Sequence, residues 1–380
     1  MRRLRLGYVV SAFPVLSETF VEQQVRGLAA RGHEVTVFGR ATGQAEATLR
    51  LRHWPSTREA LAQPVRALQS LIRCRSWALG RRALAAEAEA PFDAIVAHFG
   101  NNAVDAEALR RVGALEGPLV AVFHAWDLSR LPRERGPEYY RPLFAKAERL
   151  VAISEHGRRR LLALGAPPAR LEVLHLGVDT TRFSEPEGRP TSREGPLRVL
   201  SVGRLVEKKG LADAIEAVHR LVERGVAIRY RIIGDGPLAR ALAARVAARR
   251  LTGVVELSGP QPPAAIARAL DEADVFLLPS VTAAGGDEEG IPVSLMEAMA
   301  AGLPVVSTRH AGIGELVEDG VSGLLVEERD VAAALARLAQ LAADPALRQR
   351  LGAEARRVVT ERFELATQHA AFEALLLGLA

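Results

Sequence analysis

The chain is short of most features that mark a secreted, metal-bound or nucleic-acid-binding protein. Its 380 residues hold one cysteine, Cys74, so no internal disulfide can form and a reducing, cytoplasmic setting is expected. Nine histidines are scattered without metal-ligand spacing, and no Asp-x-Asp pair occurs to hold a divalent ion on phosphates. Aromatic residues make up 5% of the chain; with no recognised binding motif either, nucleic acid is not an expected partner. No apolar run approaches the ~20 residues of a membrane-spanning helix. The amino terminus, basic and then apolar, resembles a signal peptide. Its apolar run is short, however, no small-residue cleavage site follows, and Glu18 and Glu22 come soon after. A buried first strand followed by a helix accounts for it better.

What is present bounds the rest. The length exceeds a usual single core, so two domains are expected, and 48% hydrophobic residues suffice to fill them. The net charge is +5, with the basic surplus in residues 1–186 and a slightly acidic remainder. One half therefore suits an anionic partner such as lipid headgroups or a lipid diphosphate. Short apolar runs alternate with helical ones. Strands are expected at residues 5–10, 34–38, 94–98, 119–123, 149–153 and 172–174, then at 198–202, 228–233, 254–257, 275–278, 304–307 and 323–326. Amphipathic runs between them predict an α/β fold with two doubly wound parallel sheets. A breaker-rich stretch, residues 184–196, marks the boundary. Ligand is expected in a cleft between the halves. Residues 51–88, rich in Arg with Trp54 and Trp77 interleaved, read as an amphipathic helix packed on the first sheet or, alternatively, lying on an anionic membrane.

The most informative segment is Glu289-Gly-Ile-Pro-Val-Ser-Leu-Met-Glu297. Pro292 is placed to begin a helix, with Glu289 on the loop ahead of it and Glu297 inside it. Gly290 would allow a tight turn and a close approach to ligand. The first-turn amides near Val293 would form an anion site. Carboxylates on either side of such amides suit sugar hydroxyls on either side of a phosphate. Upstream, Leu197-Arg-Val-Leu-Ser-Val202 reads as a strand followed by Gly203-Arg204 and Lys209-Gly210, which puts both cations where α/β sheets bind ligands. Arg and Lys together suit a diphosphate; Glu207 and Lys208 read as surface charges.

These motifs resemble the retaining glycosyltransferases of family 4, with the GT-B fold, and among them the bacterial colanic-acid and amylovoran exopolysaccharide enzymes. The resemblance extends through Gly234-Asp-Gly-Pro237, Leu278-Pro-Ser280, Ala298-Met-Ala-Ala-Gly-Leu-Pro-Val305 and Gly320-Val-Ser-Gly-Leu-Leu325. In the first half it includes Phe13-Pro-Val-Leu-Ser-Glu-Thr-Phe20, Gly32-His-Glu-Val35 and His175-Leu-Gly-Val-Asp179. It implies two Rossmann-like domains facing each other across a cleft: an acceptor domain (1–187), a donor domain (188–362) and a last helix (363–380) crossing back. It also implies transfer from a nucleoside-diphosphate sugar, with retention, to an acceptor hydroxyl such as that of a lipid-linked oligosaccharide. No metal or other cofactor is implied, and the chain would work in the cytoplasm, in peripheral contact with the membrane. Glu297 would hold the ribose, Glu289 the transferred sugar, and Gly290, Ile291, Pro292 and Val293 would add backbone contacts. Arg204 and Lys209 would stabilise the departing diphosphate, with Gly203, Gly234, Gly236 and Gly259 lining the nucleotide pocket.

His124, in His-Ala-Trp-Asp127, falls where the family commonly has His-Gly-x-Asp, whose His touches the transferred sugar; Ala125 departs from that pattern. His98, Asp127 and Ser17-Glu18-Thr19 are placed on the acceptor side, although Ser17 is equally a helix N-cap. Two other classes remain. Gly234-x-Gly236 with Glu256 matches a dinucleotide fingerprint, which would make the chain an NAD(P)-dependent oxidoreductase. A non-catalytic sugar-nucleotide binder has only Ala125 in its favour.

Overall fold

A computed structural model describes residues 2–15, 18–41, 49–53, 82, 90–183 and 195–379. The chain divides into two compact units, Met1–His175 with Ala366–Ala380, and Leu176–Leu365. The division precedes the polar stretch at 184–196, because Val178 is stitched to the end of the second unit: its N–H donates to the Phe363 carbonyl and its carbonyl accepts from Leu365.

The first unit is built on seven parallel strands, β1 (Arg5–Phe13), β2 (Glu34–Ala41), β3 (Arg50–His53), β4 (Ala94–His98), β5 (Leu119–Phe123), β6 (Arg149–Ala152) and β7 (Leu171–Val173), in the order β3-β2-β1-β4-β5-β6-β7. The second has six, β8 (Leu197–Val202), β9 (Ile228–Ile233), β10 (Val255–Leu257), β11 (Val275–Leu278), β12 (Val305–Thr308) and β13 (Leu324–Val326), in the order β10-β9-β8-β11-β12-β13. β4, β5 and β11 are buried at every position, as expected of strands covered on both faces.

Twelve strands fall where the apolar runs placed them, within a few residues at their ends. β3 was not foreseen: it lies at the start of the Arg-rich stretch read as a helix and pairs in parallel with β2 through Thr36–Arg50 and Phe38–Arg52. The rest of that stretch, apart from residue 82, lies outside the described residues up to residue 89. The helix Leu365–Leu377 belongs to the first unit from Ala366 onward. Its buried Glu373 accepts from Arg31 Nε at 2.7 Å and meets His33 Nε2 at 2.8 Å.

In both sheets the chain reverses its winding between the first strand and the fourth. The carboxyl ends of strands flanking such a switch point are where doubly wound sheets take ligands. Those flanking pairs are β1 with β4, and β8 with β11.

Candidate active site

In the second unit the loops leaving β8 and β11 meet. Lys209 Nζ lies 3.0 Å from Glu289 Oε1, both side chains largely buried. Burial works to raise the Glu289 carboxyl, but Lys209 and Lys208 beside it more than offset this and hold it below the usual carboxylate range. Gly210, in the left-handed region (φ 64), lets the β8 loop pass against β11: a Cβ there would sit 1.7 Å from the Pro279 carbonyl oxygen. Arg204, at the end of β8, is exposed and its guanidinium forms no ion pair among the described residues.

Gly234 (φ 144) closes the floor of this region. A Cβ on it would lie 1.9 Å from the Gly203 carbonyl oxygen, and its N–H donates to the Gly259 carbonyl at 3.0 Å. At Gly236 a Cβ would lie within 2.6 Å of the Leu205 carbonyl oxygen. The Gly234-x-Gly236 match is thus accounted for by backbone packing against the loop after β8. It also follows the second strand of its unit, not the first.

The helix Val293–Ala300 carries Leu295, Met296 and Met299 into the core, each fully buried. Burial of this kind contributes roughly 2 kcal/mol per side chain and fixes the opposite face. On that face Glu297 is partly exposed, and it forms no hydrogen bond or ion pair among the described residues. Burial pushes its carboxyl up to about 7, with Arg182 acting in the other direction. Pro292 is the cap of this helix (φ −64, ψ 122), not its first residue. Its extended ψ ends the loop, while its carbonyl accepts from Leu295 and Met296. No side chain caps the helix, so the Val293 and Ser294 amides have no intrahelical partner. Gly290 does not take a positive φ, so what it offers is the lack of a side chain and not a left-handed turn.

Lys208 is not the surface charge read from sequence. Its Nζ donates to Asp287 Oδ1 at 3.1 Å and to the Glu288 carbonyl at 3.0 Å. Glu207 accepts from the Ala284 amide at 3.0 Å. Sequence reading also missed His310, at the end of β12, whose Nε2 accepts the Glu289 N–H at 3.0 Å. The strand-end rule that flagged Arg204 would have flagged it too.

In the first unit, a chain of neutral polar groups runs from the middle of β1 to the carboxyl ends of β4 and β5. Tyr8 Oη donates to Gln24 Oε1 at 3.0 Å, and His98 Nε2 lies 2.8 Å from the same oxygen. His98 Nε2 therefore carries the proton, and His98 Nδ1 accepts from His124 Nε2 at 3.1 Å. That leaves His124 Nδ1 unprotonated, buried and without a hydrogen-bond partner among the described residues. Burial lowers His98 to about 3, and burial together with His98 lowers His124. The rings of Phe20 and Phe99 pack on His124 with centroids at 4.7 and 4.4 Å. Phe99 takes φ 69, an unusual backbone for a non-glycine residue next to a strand end.

Two acceptor-side expectations change. Asp127 is fully buried and accepts from the Gly100 amide at 2.8 Å and the His124 amide at 3.0 Å. It positions His124 and does not itself face a ligand; burial raises it to about 6 against those backbone amides. His98 has no exposed surface, and its two ring nitrogens are taken up by His124 and Gln24. Ala125 sits at φ −147, outside the left-handed region, so its methyl group is accommodated. Glu18 and Thr19 open the helix Thr19–Ala30, while Ser17 lies outside the described residues. No group of three His, Cys, Asp or Glu side chains is gathered for a metal ion among the described residues. No described helix is long and apolar enough to cross a membrane.

Comparison with known proteins agrees with this geometry. Residues 17–182 match the family model for Glycosyltransferase Family 4, and residues 184–358 match that for Glycosyl transferases group 1. The chain is 40% identical to the putative colanic acid biosynthesis glycosyltransferase WcaL of Salmonella typhimurium over 375 residues, covering 89% of this chain and 90% of that one. It is 39% identical to the amylovoran biosynthesis glycosyltransferase AmsK of Erwinia amylovora over 381 residues, 90% and 92% of the two chains. Among solved structures, Anabaena Alr3699/HepE in complex with UDP and glucose superposes with a TM-score of 0.77 at 18% identity, over 98% of this chain and 99% of that one. Sucrose-phosphate synthase from Thermosynechococcus elongatus gives 0.78 at 19%, with full coverage of both. The chain belongs to glycosyltransferase family 4 and is a glycosyltransferase of the GT-B fold.

Proposed function

We propose that this chain moves a sugar from a nucleoside-diphosphate sugar to an acceptor hydroxyl, with retention of anomeric configuration, during assembly of an exopolysaccharide. The observation that carries the reading is the buried Lys209–Glu289 pair beside uncapped helix amides. It presents a cation, peptide N–H groups and a carboxylate within one loop cluster. The glycine floor at 203, 234 and 259 takes the nucleotide against backbone, and Glu297 accepts from the ribose hydroxyls. Glu289 accepts from hydroxyls of the transferred sugar, and His124, in the first unit, offers a neutral imidazole to a sugar hydroxyl.

Charge builds on the diphosphate as the glycosidic bond breaks. Arg204, Lys209 and the amides of Val293 and Ser294 stand where that charge develops, which is the most effective place for stabilising groups. In front-face attack the departing phosphate oxygen takes the acceptor's proton, so no protein base is required and the charge is met without a metal ion. Exclusion of water protects the donor from hydrolysis. The relatives named for colanic acid and amylovoran synthesis, and the basic surplus of the first half, favour an acceptor that is a sugar on a lipid diphosphate at a membrane surface.

The test is incubation of the purified chain with a panel of UDP- and GDP-sugars and a lipid-diphosphate-linked acceptor, with and without EDTA. Product is identified by mass and its anomeric configuration by NMR. Transfer with retention, undiminished by EDTA, is expected. Inversion of configuration overturns the stereochemical reading, and activity lost to EDTA and restored by magnesium overturns the metal-free one. A chain that binds no nucleotide sugar overturns the whole.

A further inference from the structure

The peptide bond joining Glu288 to Glu289 is gripped on both sides. Its carbonyl accepts from Lys208 Nζ and its N–H donates to His310 Nε2, each at 3.0 Å. Lys208 is steadied by Asp287 Oδ1 at 3.1 Å. The His310 side chain is 1% exposed, and its Nδ1 lies 2.6 Å from Glu328 Oε1. Glu328 in turn accepts from the Thr282 amide at 2.7 Å. A backbone amide can only donate, so His310 Nε2 carries no proton and the imidazole is the neutral form with hydrogen on Nδ1, directed at Glu328. The residue that follows the gripped peptide is Glu289, whose carboxylate stands 3.0 Å from Lys209. Rotation of this peptide plane changes φ at Glu289 and swings its Cβ, and the carboxylate moves with it.

The surrounding loop has anchors of its own. The Ala284 amide donates to Glu207, Arg329 donates to the Thr282 carbonyl at 2.9 Å, and the Ala283 amide donates to the Asp287 carbonyl at 3.0 Å. These hold the course of the loop, whereas Lys208 and His310 hold the orientation of one peptide within it. Two adjacent lysines thus divide the work: Lys209 meets the Glu289 carboxylate and Lys208 the carbonyl one residue before it.

We propose that Lys208 and His310 are positioning residues that clamp the Glu288–Glu289 peptide and so set the Glu289 carboxylate against Lys209 for the hydroxyls of the transferred sugar. The proposal rests on the donor-site reading above. Misplacement of a reacting group by a fraction of an ångström costs turnover more than it costs binding of the remote nucleotide.

The experiment compares Lys208→Met, His310→Phe, the double variant and Lys208→Arg, each checked for wild-type thermal unfolding. Each single loss is expected to lower kcat about 10–30-fold, while affinity for the free nucleoside diphosphate changes less than about threefold. Lys208→Arg, which keeps a donor for the carbonyl, is expected to recover turnover to within about threefold. The double variant should fall no more than about twofold below the weaker single, because both residues act on one peptide. Wild-type kcat in both singles overturns the proposal, as do losses that multiply in the double variant. So does an equal loss of nucleoside-diphosphate affinity, which would indicate a structural role.

A second arm needs no substrate. Long-range nitrogen NMR of histidine-labelled protein should show a bare Nε2 on His310, assigned by its disappearance in His310→Phe. A protonated Nε2 overturns the clamp even if the enzyme turns over. A wild-type chain that transfers no sugar overturns the functional reading instead and leaves this spectrum decisive.

Discussion

The loop ends of the second unit carry opposite charges in direct contact, whereas the strand ends of the first carry a buried chain of neutral groups. In the second unit Lys209, Glu289, Arg204 and Glu297 are charged or titrate near neutrality, and glycines leave the backbone bare between them. In the first unit His98 and His124 are driven neutral by burial, and Tyr8, Gln24, Phe20 and Phe99 complete the surroundings. Both arrangements occupy the same topological position, the switch point of a doubly wound sheet. What separates them is the ligand chemistry each suits. A diphosphate demands cations and amides, while a neutral sugar hydroxyl is met by a single lone pair in a dry setting.

The widest gap between the two regions should appear on loss of charge. Lys209→Met and Arg204→Ala are each expected to lower turnover at least ~100-fold, the size of a charged contact made where transition-state charge develops. Near-normal activity in either variant removes that residue from the site. His124→Ala should cost less, about tenfold in kcat/KM, because it removes one neutral hydrogen bond. If His124→Ala proved the more damaging, the division into a charged half and a neutral half would fail.

Much of this division was legible in the sequence, and the unread part has physical causes. Strands covered on both faces announce themselves as apolar runs, so Ala94–His98, Leu119–Phe123 and Val275–Leu278 were placed to the residue; Ile228–Ile233, which alternates with Arg229 and Arg231, was placed by its β-rich pattern. Arg50–His53 was not, because an edge strand with arginines at both ends of Arg50-Leu-Arg52 has no such run. Arg204, Lys209, Glu289 and Glu297 could be singled out because strand ends and helix starts are local signals. Lys208 was dismissed because nothing local separates a lysine that donates to a carbonyl 80 residues away from one in solvent. Asp127 was misread in part for the same reason: its bond from the His124 amide is local, but that from the Gly100 amide is revealed only when β4 and β5 lie side by side.

The pH response offers a finer test. Burial raises the Glu297 carboxyl to about 7, and only the ionised form accepts from both hydroxyls of a ribose diol at once, one at each oxygen. Donor KM is therefore expected to rise as pH falls below 7, by about tenfold at pH 6, if only the ionised form binds. Glu297→Gln should flatten that limb. The two histidines of the first unit contribute nothing there, since burial keeps them neutral. An inflection near 6 that survives Glu297→Gln would belong to Asp127, whose carboxyl is raised to about 6, and would bring the first unit into the pH response.

The smallest effect concerns stability and has the opposite sign from the loss of function. The Glu297 carboxyl is raised in the folded chain, so between its ordinary value of 4.5 and about 7 the folded state binds more protons than the unfolded. Stability then declines as pH rises through that window and stays lower above it. Glu297→Gln removes the buried charge, so at pH 8 it should stabilise the second unit by about 1 kcal/mol, after allowance for the partial exposure of this side chain. In a unit of this size that is roughly 2–4 °C in Tm. At pH 4, where wild type is protonated too, the difference should vanish. A helix that contributes five fully buried side chains to the core while holding one carboxylate in an unfavourable setting gives up stability at that position, which is the trade expected of a ligand-contacting residue. A Gln variant no more stable than wild type at pH 8 would mean that Glu297 is solvated after all, and would deprive the pH dependence of donor KM of its assigned group.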